Sequence, residues 1–172
     1  MNNPRRKNLR LKNYDYRQNG YYFVTICTQD RVHYFENHPE LKQIVHDQWH
    51  ELPKRFANIQ LDEFVIMPNH IHGIIAIVGA PLVGAPIGAN RAGARPAPTL
   101  GGIIGAYKSI CVHEWLKLIK KNGLNVIGRF WQRNYYEHVI RGEMDLFKIR
   151  NYIRQNPLNW NNDEYNPSGI NE

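Results

Sequence analysis

Two histidines separated by one residue, His70 and His72, stand in the apolar run Phe64-Val-Ile-Met-Pro-Asn-His-Ile-His-Gly-Ile-Ile-Ala-Ile77. On a β-strand such a pair points to one face, with Cα atoms roughly 6–7 Å apart at about 3.3 Å rise per residue. Two imidazoles placed that way can converge on one metal ion. Near the C-terminal end, Lys148, Tyr152 and Asn156 follow one another at helical i, i+4, i+8 spacing and share one side of a helix. A phenol with an ordinary pKa near 10 is a poor nucleophile at neutral pH until it is activated. A divalent ion can bind the non-bridging oxygens of a phosphodiester, offset transition-state charge and orient the ester. Attack by the phenolate would then give a phosphotyrosine and release a sugar hydroxyl. The covalent link keeps the phosphodiester energy, so the strand can be rejoined elsewhere, which hydrolysis would prevent. A metal, a tyrosine and a basic chain together point to cutting of nucleic acid.

The elements that must position these groups follow from hydrophobic periodicity. Tyr21–Thr28, aromatic and β-branched after Asn19-Gly20, predicts the first strand. Pro39 opens a helix over about 39–52, with Leu41, Ile44, Val45, Trp49 and Leu52 at helical spacing and Pro53 at its end. Residues 60–67 and 70–77 predict two strands joined by a tight turn at Pro68-Asn69. Thr99 caps a helix that runs to about Lys121, buries Ile103, Ile104, Tyr107, Cys111, Trp115 and Leu118, and stops at Asn122-Gly123. A short strand follows around Tyr135–Ile140. A last helix over about 143–156 turns Leu146, Ile149 and Ile153 to the core and ends at Pro157. The order β-α-β-β-α-β-α predicts an α+β fold, an antiparallel sheet with helices packed on it. The Lys148/Tyr152/Asn156 line borders the apolar stripe of its helix, so the histidines on the sheet and the tyrosine with its amide could face one another.

At 172 residues, 42% of them hydrophobic, the chain predicts one domain with a real core. The formal net charge of +7 favours a polyanionic partner. Part of that charge is a basic N-terminal arm, residues 1–12, with Arg5, Arg6, Lys7, Arg10 and Lys12 and no acid; a solvated tail and a DNA-contacting arm are both open readings. Arg150 and Arg154 on the last helix are further candidates for phosphate contacts, and Lys148 a more speculative one. Residues 78–98 repeat Val-Gly-Ala-Pro and are dominated by Gly, Ala and Pro, which predicts a flexible loop. Cys27 and Cys111 fall in a strand and a helix and are expected as buried thiols. No segment has the length and apolarity to span a bilayer, and no apolar stretch follows the charged first residues. The expectation is a cytoplasmic, nucleoid-associated protein without a membrane.

The residues carry a specific resemblance. Met67-Pro-Asn-His-Ile-His-Gly73 resembles the histidine–hydrophobic–histidine motif of the HUH superfamily. Phe130-Trp-Gln-Arg-Asn-Tyr-Tyr-Glu-His-Val-Ile-Arg141, followed by Ile149-Arg-Asn-Tyr-Ile-Arg-Gln-Asn-Pro157, resembles the C-terminal signature of REP-associated single-tyrosine transposases. Tyr21 to Arg31 resembles that family's first strand, so the likeness spans about residues 10–160, interrupted by the 78–98 loop. The resemblance implies a ferredoxin-like fold, single-stranded or hairpin DNA as substrate and a transient 5′-phosphotyrosine. By position it implies Tyr152 as nucleophile and His70, His72 and Asn156 as metal ligands. Tyr135 and Tyr136 compete for the nucleophile's role; Tyr152 is preferred because it precedes an amide by one helical turn and matches the family position. Two imidazoles and an amide oxygen are softer than magnesium's usual shell, and the working ion is expected to be Mg²⁺ or Mn²⁺. Two rivals stay open: a domesticated protein that holds hairpin DNA without cutting it, and a relaxase or replication initiator with the same chemistry. Monomer and homodimer are equally open.

Overall fold

The structure, a computed structural model, describes residue 15 and residues 18–79 and 98–167. The basic arm with Arg5, Arg6, Lys7 and Arg10, and most of the 78–98 loop, lie outside the described residues. The helices and strands run β1 (Gly20–Cys27), α1 (Tyr34–Asn37), α2 (Pro39–His50), α3 (Leu52–Arg55), β2 (Ile59–Ile66), β3 (His70–Ile77), α4 (Leu100–Asn122), β4 (Tyr136–Ile140) and α5 (Glu143–Gln155). Short 3-10 helices cover Gln29–Arg31 and Asn156–Asn162. The four strands form one antiparallel sheet in the order β2-β3-β1-β4, so the first strand and the histidine strand are central neighbours. This is the α+β, ferredoxin-like arrangement that the sequence predicts, with helices against an antiparallel sheet.

Alternation along the central strands divides the core in two. Tyr22, Val24 and Ile26 of β1 and Ile71, Ile75 and Ile77 of β3 point into the larger core, under α2 and α4. Leu41, Val45 and Trp49 of α2 meet Ile103, Ile104, Tyr107, Cys111 and Trp115 of α4 there. The Tyr107 hydroxyl donates to the carbonyl of Val45 at 2.9 Å and ties the two helices together. Phe23, Ile74, Ile140 and Ile153 form the smaller core on the opposite face, beneath α5. His70 and His72 alternate with Ile71 and Gly73, so they share the α5 face with Ile74. Gly73 is fixed by the other face. A Cβ there would come within 2.4 Å of the Trp49 ring, so the bare backbone is what lets the indole pack directly against the histidine strand.

Local chemistry sets the element ends. The Thr99 hydroxyl accepts the Gly102 N–H at 3.1 Å and caps α4. Gly123, in the left-handed region at φ 64°, closes it. The predicted helix over 39–52 is divided: Glu51 ends α2, and Pro53 lies inside the first turn of α3, where its missing N–H costs nothing. Pro157 likewise continues the chain as a 3-10 helix, because a proline in a first turn is compatible with helical φ.

Candidate active site

His70 and His72 are both buried, and their Nε2 atoms face each other at 3.0 Å. The other nitrogen of each ring is held from behind. The Nδ1 of His72 meets the Thr25 hydroxyl at 2.8 Å, across the register in which Thr25 lies opposite His72. The Nδ1 of His70 meets the Oδ1 of Asn69 at 2.8 Å. Asn69 donates its amide N–H groups to the carbonyls of Arg31 at 3.1 Å and Tyr165 at 2.7 Å. Its Oδ1 is therefore the acceptor, the His70 proton sits on Nδ1, and the Nε2 lone pair points at His72. Burial, with the Arg31 charge adding, lowers the pKa of His70 to about 3, and burial with the neighbouring His70 lowers that of His72 to about 3. Both rings are neutral at physiological pH, as ligands must be.

Tyr152 comes to this pair from α5. Its hydroxyl lies 3.3 Å from the Nε2 of His72, and its ring centroid 5.2 Å from that of His72. Burial, with the Asp163 and Glu164 charges adding, raises its pKa to about 12; the Asn156 side chain opposes the shift by hydrogen bonding. Asn156 is 3% exposed, and its Oδ1 is buried with no hydrogen-bond partner among the described residues. Asp163, at the end of the 3-10 helix that continues α5, is also buried, and it forms a cluster with the histidines whose ligand atoms lie within 4.8 Å of one another.

These donors fit a divalent ion. The two second nitrogens have partners, the two Nε2 atoms converge, and an orphaned amide oxygen and a carboxylate lie close by. The two Nε2 atoms, 3.0 Å apart, are close enough to ligate one ion.

The C-terminal segment seals this end of the sheet. The ring centroid of Tyr165 lies 4.7 Å from that of His70, and Arg31 holds the segment by donating to the Glu164 carbonyl at 2.6 Å. The Arg31 guanidinium also lies 4.9 Å from the Tyr165 ring centroid. Asp30 and Arg31 have φ of 53° and 55°, disfavoured for residues with a Cβ, and these contacts keep the turn in place.

The sequence anticipates His70, His72, Tyr152 and Asn156, and the fold gathers them at one place. Tyr136 stands on β4 with its ring 6.4 Å from Phe23, and Tyr135 packs against the larger core. Lys148 is exposed on α5. Arg150 makes a two-pronged contact with Asp62, Nε to Oδ1 at 3.0 Å and Nη2 to Oδ2 at 2.5 Å. Arg154 binds Glu63 through Nε at 3.0 Å and through Nη2. Thr25, Asn69, Asp163 and Arg31 are the site residues that sequence reasoning missed. Asn69 stands inside the quoted histidine motif, and strand register alone would have found Thr25. Asp163 stands after the last periodic element and gives no pattern. Cys27 and Cys111 are buried free thiols, with pKa values raised by burial to about 11 and about 12.

No protein-family model matches the chain. An uncharacterised protein of Haemophilus influenzae is 36% identical over 171 residues, covering 92% of each chain. Among solved structures, a REP-associated tyrosine transposase bound to a REP hairpin superposes with a TM-score of 0.59 at 18% identity, over 88% of this chain and 73% of that one. The chain therefore belongs to one family with the Haemophilus influenzae protein, and its fold is that of the REP-associated tyrosine transposase whose motifs its sequence resembles.

Proposed function

We propose that this protein is a metal-dependent DNA strand transferase that cuts and rejoins single-stranded hairpin DNA through a covalent 5′-phosphotyrosine at Tyr152. The observation that carries the reading is the Tyr152 hydroxyl 3.3 Å from the Nε2 of His72, beside the facing Nε2 of His70. The fold shared with a transposase bound to a REP hairpin supports the same class of substrate.

His70, His72 and Asn156 would hold the ion, Mg²⁺ or Mn²⁺, with Asp163 as an anionic neighbour. When bound, such an ion offsets charge on the non-bridging phosphate oxygens. The protein does the rest. Asn69 fixes the tautomer of His70, and Thr25 holds the His72 ring in place at Nδ1. The Asn156 side chain favours the phenolate against the burial that disfavours it. The Tyr152 hydroxyl gives up its proton as its oxygen attacks phosphorus, the bond to the 3′-oxygen breaks, and that oxygen takes up a proton and leaves as a hydroxyl, so that the count of protons is unchanged. A 3′-hydroxyl attacking the phosphotyrosine reverses the step and joins the strand to a new end. Positive charge, including the arm with Arg5, Arg6, Lys7 and Arg10, would contact phosphates and make binding fall steeply with salt.

The test is a denaturing gel of end-labelled hairpin DNA with wild type, Tyr152→Phe and His70→Ala, in Mn²⁺, Mg²⁺, Zn²⁺ or chelator. A covalent adduct in Mn²⁺ or Mg²⁺, lost in both variants and in chelator, is expected. Activity in Zn²⁺ alone would overturn the ion assignment. Tight binding with no adduct in any ion would reassign the protein to holding DNA.

A further inference from the structure

An open pocket of about 300 Å³ adjoins Tyr152, where α5 gives way to the 3-10 helix. Its walls are unusual in composition. Four primary amides line it, Gln155, Asn156, Asn159 and Asn162, with the carboxylates of Asp163 and Glu164 beside them. No lysine or arginine lines it, so nothing there offsets the charge of a phosphate. The side chains of Gln155, Asn159 and Asn162 make no hydrogen bonds among the described residues. These three amides are exposed, so the fold does not need them.

Each amide presents a donor beside an acceptor. That is the complement of an adenine edge, N6 amine beside a ring nitrogen, and of a cytosine edge, N4 amine beside N3. Carboxylates accept from the exocyclic amine of either base and oppose the carbonyl oxygens of thymine. The Tyr152 ring on the pocket wall adds a face for stacking. The geometry points to this pocket as the receptor for one unpaired, amine-bearing base, adenine or cytosine, next to the scissile phosphate. Tyr152 and Asn156 belong both to the pocket and to the proposed reaction centre, which sets the base beside the bond that breaks. The inference rests on Tyr152 acting on single-stranded DNA, as proposed above.

The test separates the two readings. Hairpin oligonucleotides with single-stranded flanks of oligo-dA, oligo-dC, oligo-dT or abasic residues are titrated against Tyr152→Phe protein, which keeps the ring and forms no adduct. Homopolymer flanks fill the pocket in any register. The dA or dC flank is expected to bind about tenfold tighter than dT or abasic, the scale of one well-made base contact. Asn159→Ala and Asn162→Ala, each with an unchanged circular dichroism spectrum, should bring that ratio towards one and leave dT binding as it was. Equal affinity for all four flanks, with wild type still forming its adduct, overturns the pocket and leaves the strand-transfer reading intact. A preference untouched by both substitutions means the base is read elsewhere and overturns it as well. Failure of every hairpin to bind removes the DNA reading and the pocket together.

Discussion

The His72 ring is held at both nitrogens, by Thr25 on one side and His70 on the other, and burial disfavours a charge on it. This has a consequence for pH. Burial holds both imidazoles near pKa 3 in the folded chain, against about 6.5 when unfolded. Below about 6.5 the unfolded chain takes up protons that the folded chain refuses, so stability falls as pH drops from there towards 3. Above 6.5 these groups add no slope. Each histidine contributes at most about 1.4 kcal/mol per pH unit. Urea unfolding in chelator at pH 7.5, 6 and 5 should show a falling midpoint, and His72→Gln should show a shallower fall. A midpoint constant over that range in the wild type would refute the assignment. The motif itself was legible at this scale, because two histidines in an apolar run can only share a strand face. Thr25 and Asn69 were not. Their roles come from strand register and from a backbone carbonyl about a hundred residues away, and neither leaves a local spacing.

Among the elements, α5 is held by a feature of β2. The pairing of β2 with β3 shifts register between Leu61 and Phe64, and Asp62 and Glu63 fall in that irregularity. Their carboxylates grip Arg150 and Arg154, one helical turn apart on either side of Tyr152. Partly exposed ion pairs add little to overall stability, but they can fix how a helix is rotated and how far it slides. Replacing Asp62 and Glu63 by Ala should therefore change the melting temperature by only a few degrees and slow single-turnover adduct formation at saturating DNA about tenfold, since small misplacements of a nucleophile are costly. Pairing Asp62→Arg with Arg150→Asp should recover part of the rate over either change alone. A rate indifferent to all of these would show that the grip positions nothing. The sequence could not reveal this grip. Two acids in the middle of a strand break its alternation, and only the bulge explains why both reach the same helix. Read alone, the two arginines suggested phosphate contacts.

Across the whole molecule, the site joins positions far apart in the chain: Thr25 to His72 across the sheet, and Tyr152 to His72 from the last helix. The layers were legible in advance because periods of 2 and 3.6 survive in any buried element, and the strand and helix order followed from them. The segment after Gln155 was not, since its turns carry no period, yet it supplies Asp163 and the amide-lined pocket. That segment also places Trp160, partly exposed, with its ring 6.1 Å from His70. Trp49, Trp115 and Trp131 are buried in the larger core instead. The protein thus carries its own optical probe of the histidine pair. Manganese is paramagnetic, and an ion held at His70 should quench the longer-wavelength emission of Trp160 and spare that of the three core indoles. The quenching should vanish in Trp160→Phe and in His70→Ala, and its saturation would measure ion affinity without DNA or label. Emission indifferent to Mn²⁺ would move the ion away from His70.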